Sequence, residues 1–192
     1  GVDGWGIARA IVTNVRQGAV QEGASTITQQ LARTVFLSQD RTITRKLKEA
    51  ALAMKLERQL SKQQILEQYL NYVYLGSGAY GVADAAWIYF SKTPEQLTVH
   101  EAAMIAGLPP APSIYSPLVN PDLAKERRSI VLDRMAQAGF ISASEAERGR
   151  NSPLGLKPAT PKYFNSSAPY FTTWIAQELS LIHISEPTRP FH

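Results

Sequence analysis

Thr42-Ile43-Thr44-Arg45-Lys46-Leu47-Lys48-Glu49-Ala50-Ala51-Leu52-Ala53-Met54-Lys55-Leu56-Glu57-Arg58-Gln59 contains neither glycine nor proline and is dense in strong helix formers. Ile43, Leu47, Ala50 and Met54 recur at i, i+4, i+7 and i+11, which predicts one apolar stripe. Leu52 and Leu56 fall on the opposite side, with Arg45 and Glu49 beside them. A helix apolar on both sides is usually internal. Glu49 then becomes a partly buried carboxylate with Arg45 one turn before it. Two readings stand side by side. One is an i,i+4 ion pair that merely supports the helix. The other is a functional carboxylate held by neighbouring cations.

The charge around this helix is lopsided. Arg33, Arg41, Arg45, Lys46, Lys48, Lys55, Arg58 and Lys62 face only Asp40, Glu49 and Glu57, so this segment carries +5 in a chain of net charge +4. The rest of the chain is close to neutral. Such a run is either a solvated helix face or an anion site. Just upstream lies Gly23-Ala24-Ser25-Thr26-Ile27-Thr28-Gln29-Gln30-Leu31-Ala32-Arg33. Ile27, Leu31 and Val35 face a core at helical spacing, while Thr26, Gln29, Gln30 and Arg33 share the other face. Neutral hydrogen-bonding side chains with one Arg suit sugar hydroxyls, amides or phosphate oxygens, and equally plain solvent.

Downstream, helix signals are strong and strand signals weak. Three Ser/Thr-x-x-Glu/Gln capping boxes stand at Ser61/Gln64, Thr98/Glu101 and Ser142/Glu145. Ile65, Leu66, Tyr69, Leu70 and Val73 come after the first at helical spacing. Ala102 to Leu108 comes after the second and stops at Pro109-Pro110. Residues 121–138 read as a helix, with Pro121 near its start and Gly139 just past its end. Gly76, Gly78 and Gly81 mark a loop before a helix running to about Phe90. The proline-rich stretch 109–120 has the composition of a mobile connection, and 151–169 that of an extended linker. The reading is a mainly helical domain over 1–150, with little or no β structure.

Composition limits the function classes. Hydrophobic residues make up 44% of the 192, enough for a sizeable core, and there is no cysteine. That excludes a disulfide scaffold, a thiolate metal site and a cysteine nucleophile. No apolar run reaches the ~18 residues needed to span a bilayer. No signal peptide opens the chain, and Gly1 in place of Met leaves room for an upstream part. A nucleic-acid module fails because the basic residues surround a carboxylate in an apolar helix, with no aromatic stacking surface.

In chain order, G-A-S-T-I-T-Q-Q (23–30), R-K-L-K-E (45–49), I-L-E-Q-Y-L-N (65–71), G-S-G-A-Y-G-V-A-D-A-A (76–86) and Y-F-S-K (89–92) closely resemble glycosyltransferase family 51. This is the peptidoglycan glycosyltransferase domain of class A penicillin-binding proteins and monofunctional transglycosylases. The likeness runs from Gly1 to about Glu178. It implies a lysozyme-like helical domain with a small membrane-facing lobe, to which Phe36 and Leu37 would belong. It implies polymerisation of lipid II into glycan strands, with release of undecaprenyl pyrophosphate, on the periplasmic side of the bacterial cytoplasmic membrane. The partners implied are lipid II, the growing strand, the membrane surface and other cell-wall synthesis proteins.

Residue by residue, the resemblance implies that Glu49 is the second of two central glutamates. Ser25, Thr26, Gln29 and Gln30 line the sugar cleft. Arg33, Arg41, Arg45 and Lys46 stand at or near the diphosphate. No metal ligand is assigned, although a divalent cation such as Mg at the pyrophosphate fits the chemistry. Glu67, Tyr69 and Asn71 read as scaffold. The first family motif is Glu-Asp-x-x-Phe-x-x-His-x-Gly, and Gly1-Val2-Asp3 resembles its last Gly with the two residues after it. The base glutamate is therefore expected just before Gly1, so the 192 residues alone are expected not to turn over.

Residues 151–179 are expected to lead toward a transpeptidase, because Ala168 to Leu179 resembles that connection. No Ser-x-x-Lys motif is present, so acylation by penicillin is not expected. Ser180 to His192 departs from the family and reads as a non-native tail, His183 and His192 included; His100 reads as structural. Two other functions compete with polymerisation. A lysozyme-like hydrolase or lytic transglycosylase is disfavoured, since finished glycan has no pyrophosphate for the basic segment to meet. A non-catalytic fragment would bind lipid II or moenomycin without turnover.

Overall fold

The structure, a computed structural model, describes residues 25–36 and 43–161. Within them run α1 (Ile27–Phe36), α2 (Ile43–Gln59), α3 (Lys62–Tyr72), α4 (Gly81–Phe90), a single 3-10 turn (Pro94–Gln96), α5 (Val99–Ala106), α6 (Pro112–Tyr115), α7 (Pro121–Gln137) and α8 (Ala143–Asn151). The only β feature among the described residues is one antiparallel bridge between Tyr74 and Tyr80. The mainly helical architecture expected from sequence is the one observed.

The three expected capping boxes all form. The Ser61, Thr98 and Ser142 side chains accept from the backbone N–H of Gln64, Glu101 and Glu145. Each of those side chains reaches back to its cap residue's N–H, so two orphan donors are satisfied at each helix start. α5 is the centre of the core, with every residue from Glu101 to Leu108 buried. It packs on α7, and α7 packs on α8. Gly149 of α8 allows this closeness, since a Cβ there would meet Leu132 Cδ1 at 2.8 Å. At the other end α1 packs on both α2 and α3, and α3 packs on α4. Gly81 makes the last approach possible. Its φ is +83°, and a Cβ would lie 2.3 Å from the Asn71 carbonyl oxygen.

Three expectations need revision. The stripe assigned to Leu47 and Met54 faces outward, at 67% and 59% exposure. The buried face of α2 is instead Glu49, Ala53 and Leu56, at i, i+4 and i+7. Helix spacing identifies which residues share a face, but two faces of similar apolarity leave open which one meets the neighbours. Second, the proline-rich stretch 109–120 is built into the fold rather than loose. It holds α6, and Ser116 within it is fully buried and shares a 2.7 Å hydrogen bond with Ser77. Third, residues 152–161 run without helix or strand, as their composition suggests, but they are pinned down as a strap. Lys157 and Ala159 donate their N–H groups to the carbonyls of Tyr89 and Ile88, and Trp87 Nε1 donates to the Thr160 carbonyl. Leu37, and with it most of the expected membrane-facing segment, lies outside the described residues, as do the 162–179 run and the tail.

Candidate active site

α2 buries Glu49 because its Ala53 and Leu56 face meets α1 and α3, which carries the carboxylate inward. Glu49 is 1% exposed. A carboxylate buried this deeply costs several kcal/mol unless it is paired. Two cations of its own helix supply the pairing. Lys46 Nζ donates to Oε2 at 2.9 Å, and Arg45 Nε stands 3.3 Å from Oε1. Lys46 also donates to Ser25 Oγ at 2.6 Å, which joins α2 to the residue that opens α1. Sequence left two readings of Arg45 and Glu49 open; the i,i+4 ion pair forms, and Lys46 and Ser25 extend it into an array.

The polar residues of α1 divide. Thr26 and Gln29 cap the helix reciprocally: Thr26 Oγ1 accepts from Gln29 N–H at 3.2 Å, and Gln29 Oε1 accepts from Thr26 N–H at 3.3 Å. This is a further capping box, whose T-x-x-Q spacing is present in sequence but is masked by the sugar-cleft resemblance. Gln30 turns inward. Its Nε2 donates to the Ser25 carbonyl and its Oε1 accepts from the Tyr69 hydroxyl, both at 3.3 Å. Thr28 is buried and donates to Glu57 Oε1 at 2.7 Å. Lys62, with Thr28, holds the Glu57 carboxyl below the usual carboxylate range. Arg33 is exposed in the last turn of α1. Arg41 lies outside the described residues.

The structure therefore brings Ser25, Gln30, Arg45, Lys46 and Glu49 together, and leaves Thr26, Gln29 and Arg33 on the outer part of α1. Tyr69, read from sequence as scaffold, touches this set. The available signal was its i,i+4 register with Ile65, which predicts burial, and a buried tyrosine hydroxyl normally finds a partner. Both Glu49 oxygens face cations, and among the described residues no group of three or more His, Asp or Glu could hold a metal ion.

A carboxylate flanked by cations beside hydroxyl and amide groups is an arrangement for a phosphorylated or glycosylated ligand, with Arg as fork and Lys as point charge. Comparison with known proteins shows the family. The family model described as Transglycosylase matches residues 1–136. The chain belongs to the transglycosylase family. That family agrees with the resemblance carried by G-A-S-T-I-T-Q-Q and R-K-L-K-E. Penicillin-binding protein 1A of Neisseria lactamica is 49% identical over 179 residues, which are 93% of this chain and 22% of that protein. Penicillin-binding protein 1A of Aquifex aeolicus is 49% identical over 157 residues, 82% of this chain and 22% of that protein. The crystal structure of penicillin-binding protein 1A from Haemophilus influenzae overlaps 80% of this chain and 20% of its own, at 33% identity and a TM-score of 0.49. The chain spans about a fifth of the length of the curated relatives it matches.

Proposed function

We propose that this chain supplies the catalytic core of a peptidoglycan glycosyltransferase that polymerises lipid II into glycan strands. The observation that carries the reading is the 2.6 Å contact between Lys46 of R-K-L-K-E and Ser25 of G-A-S-T-I-T-Q-Q, made while Lys46 also holds buried Glu49. Two motifs separate in sequence form one polar array. In the reaction, the bond from the donor sugar's C1 to the pyrophosphate oxygen breaks. A bond from C1 to the acceptor's 4-oxygen forms, and a base takes the hydroxyl proton, a step worth about 10²–10⁴-fold. The departing pyrophosphate needs fixed cations, a contribution of at least similar size. Arg45 and Lys46 serve that need, and Glu49 holds both side chains in place before substrate arrives. Ser25 and Gln30 address the sugar, with Thr26, Gln29, Arg33 and Arg41 as the family pattern assigns them.

The reading carries a location on the extracytoplasmic side of the bacterial cytoplasmic membrane, where lipid II is presented. It takes residues 1–150 as the glycosyltransferase domain, 151–179 as the run toward a transpeptidase, and 180–192 as foreign to the family. The test grafts the aligned 179 residues into the full-length Neisseria lactamica relative. The chimera is expected to make glycan from lipid II. Glu49→Gln is expected to cut the rate about 10²-fold or more, because two cations lose their anchor, in a variant whose fold is checked by circular dichroism. A folded chimera that makes no glycan, or a Glu49→Gln chimera at full rate, refutes the reading.

A further inference from the structure

Tyr69 lies on α3, outside the two motifs of the array, and is 1% exposed. Its ring packs in the core, and among the described residues its hydroxyl donates to the Gln30 side chain. Burial pushes that hydroxyl far above the ordinary phenol range, so it stays a neutral donor at any working pH. The Ser25 carbonyl, which can only accept, decides which way the Gln30 amide faces, and the Tyr69 hydroxyl donates to the amide oxygen and holds it there. With the oxygen turned to Tyr69, the Nε2 group must point away, and it meets the Ser25 carbonyl at 3.3 Å. Reversed, the amide would set its oxygen against the Ser25 carbonyl, acceptor against acceptor. Ser25 in turn presents Oγ to Lys46, which holds Glu49. The contacts form a directional relay across three helices: α3 to α1, then the start of α1 to α2.

We propose that Tyr69 is a positioning residue: through the Gln30 amide and the Ser25 backbone, it sets the place of Lys46 against Glu49. What the array does with that placement rests on the glycosyltransferase reading; the relay itself does not. A hydroxyl two contacts removed from the reacting atoms acts on geometry, and small displacements of catalytic groups are costly in rate.

Tyr69→Phe removes one oxygen and keeps the ring, so the core remains filled. Two measurements test the relay. In the isotope-labelled 192-residue chain, the substitution is expected to move both the side-chain amide resonances of Gln30 and the carboxyl carbon resonance of Glu49. A Glu49 resonance that stays put overturns the relay, whether or not the array is catalytic. In the chimera, Tyr69→Phe is expected to lower kcat about five- to tenfold with KM changed less than about twofold, as for a group that acts in the transition state. Ser25→Ala combined with Tyr69→Phe is expected to cost no more than the worse single change, because both interrupt one relay. Effects that multiply, or a kcat left unchanged, assign Tyr69 to packing alone and overturn the proposal. A folded parent chimera without activity, combined with a moved Glu49 resonance, defeats the glycosyltransferase reading and leaves the relay standing.

Discussion

Glu49 and Glu101 are both buried, and cations offset the cost of each in a different way. Glu49 meets Arg45 and Lys46 at a surface where Lys46 is half exposed, so its pairing can be re-made around a ligand. Glu101 is locked. Lys92 Nζ donates to both its oxygens at 2.7 Å, and the Thr98 N–H donates to Oε2 at 2.8 Å. Burial by itself would raise the Glu101 pKa, but Lys92 and Thr98 outweigh it and hold the carboxyl below its ordinary 4.5. Next to it, burial lowers His100 below its ordinary 6.5, against the pull of Glu101. Both shifts act in the same direction. A group whose folded pKa is depressed stabilises the fold above its unfolded pKa, and that stability is lost as pH falls toward the folded value. The denaturant midpoint is therefore expected to decline first below about pH 6.5, through His100, and again below about pH 4.5, through Glu101. Glu101→Gln should flatten the second decline and deepen the first, because His100 then loses the upward pull of Glu101. An undiminished loss between about pH 5 and pH 3 in that variant would show that Glu101 is not its source.

At the scale of the element, α2 separates what a pattern contains from what a pattern decides. Its period marked Leu47 and Met54 as one face and Leu56 as the other, and Ala53 completes the second. Packing chose the second, because Glu49 rides on it and α1 and α3 close over it. Leu56→Ala is expected to destabilise the fold by about 2–5 kcal/mol, while Leu47→Ala stays within about 0.5 kcal/mol. Urea unfolding of the two variants decides this; equal losses would return Leu47 to the core. Elements with local punctuation were legible almost to the residue. Ser61, Thr98 and Ser142 start helices because each satisfies its own orphan donors within one turn. The Pro121 to Gly139 helix is likewise bounded by residues that fit only its ends. The polar array was legible where motif and local chemistry coincide, as in the pairing of Arg45 and Lys46 with Glu49. It was not legible where the partner is distant: Tyr69 meets Gln30 across 39 positions, and Thr28 meets Glu57 across 29, contacts that no spacing rule announces.

At the scale of the molecule, the described chain is drawn shut at its far end by a single arginine. Arg128 of α7 is 1% exposed, and desolvation by burial lowers its pKa. Its guanidinium donates to the carbonyls of Arg150 at 3.1 Å, Ser152 at 2.6 Å and Pro153 at 3.1 Å. These are the residues where α8 ends and the strap begins, so Arg128 fixes the direction in which the chain leaves the helical body. The strap then crosses α4, donating from Lys157 and Ala159 to its carbonyls. Arg satisfies this site because its fork reaches several acceptors at once, which a lysine's point charge does not. Arg128→Met keeps most of the volume and removes every one of those donors. Hydrogen bonds from a charged donor contribute about 1.5–3 kcal/mol each, and the carbonyls near the surface recover part of that from water, so a net loss of about 2–4 kcal/mol is expected. The change should also be local in its first effect. Chymotrypsin under native conditions should cleave the variant after Leu154 and Leu156, half-buried in the strap, well before the helical body is digested. Cleavage at the parent rate, with only the global melting temperature lowered, would mean that the strap is held by α4 alone and that Arg128 acts only within the core.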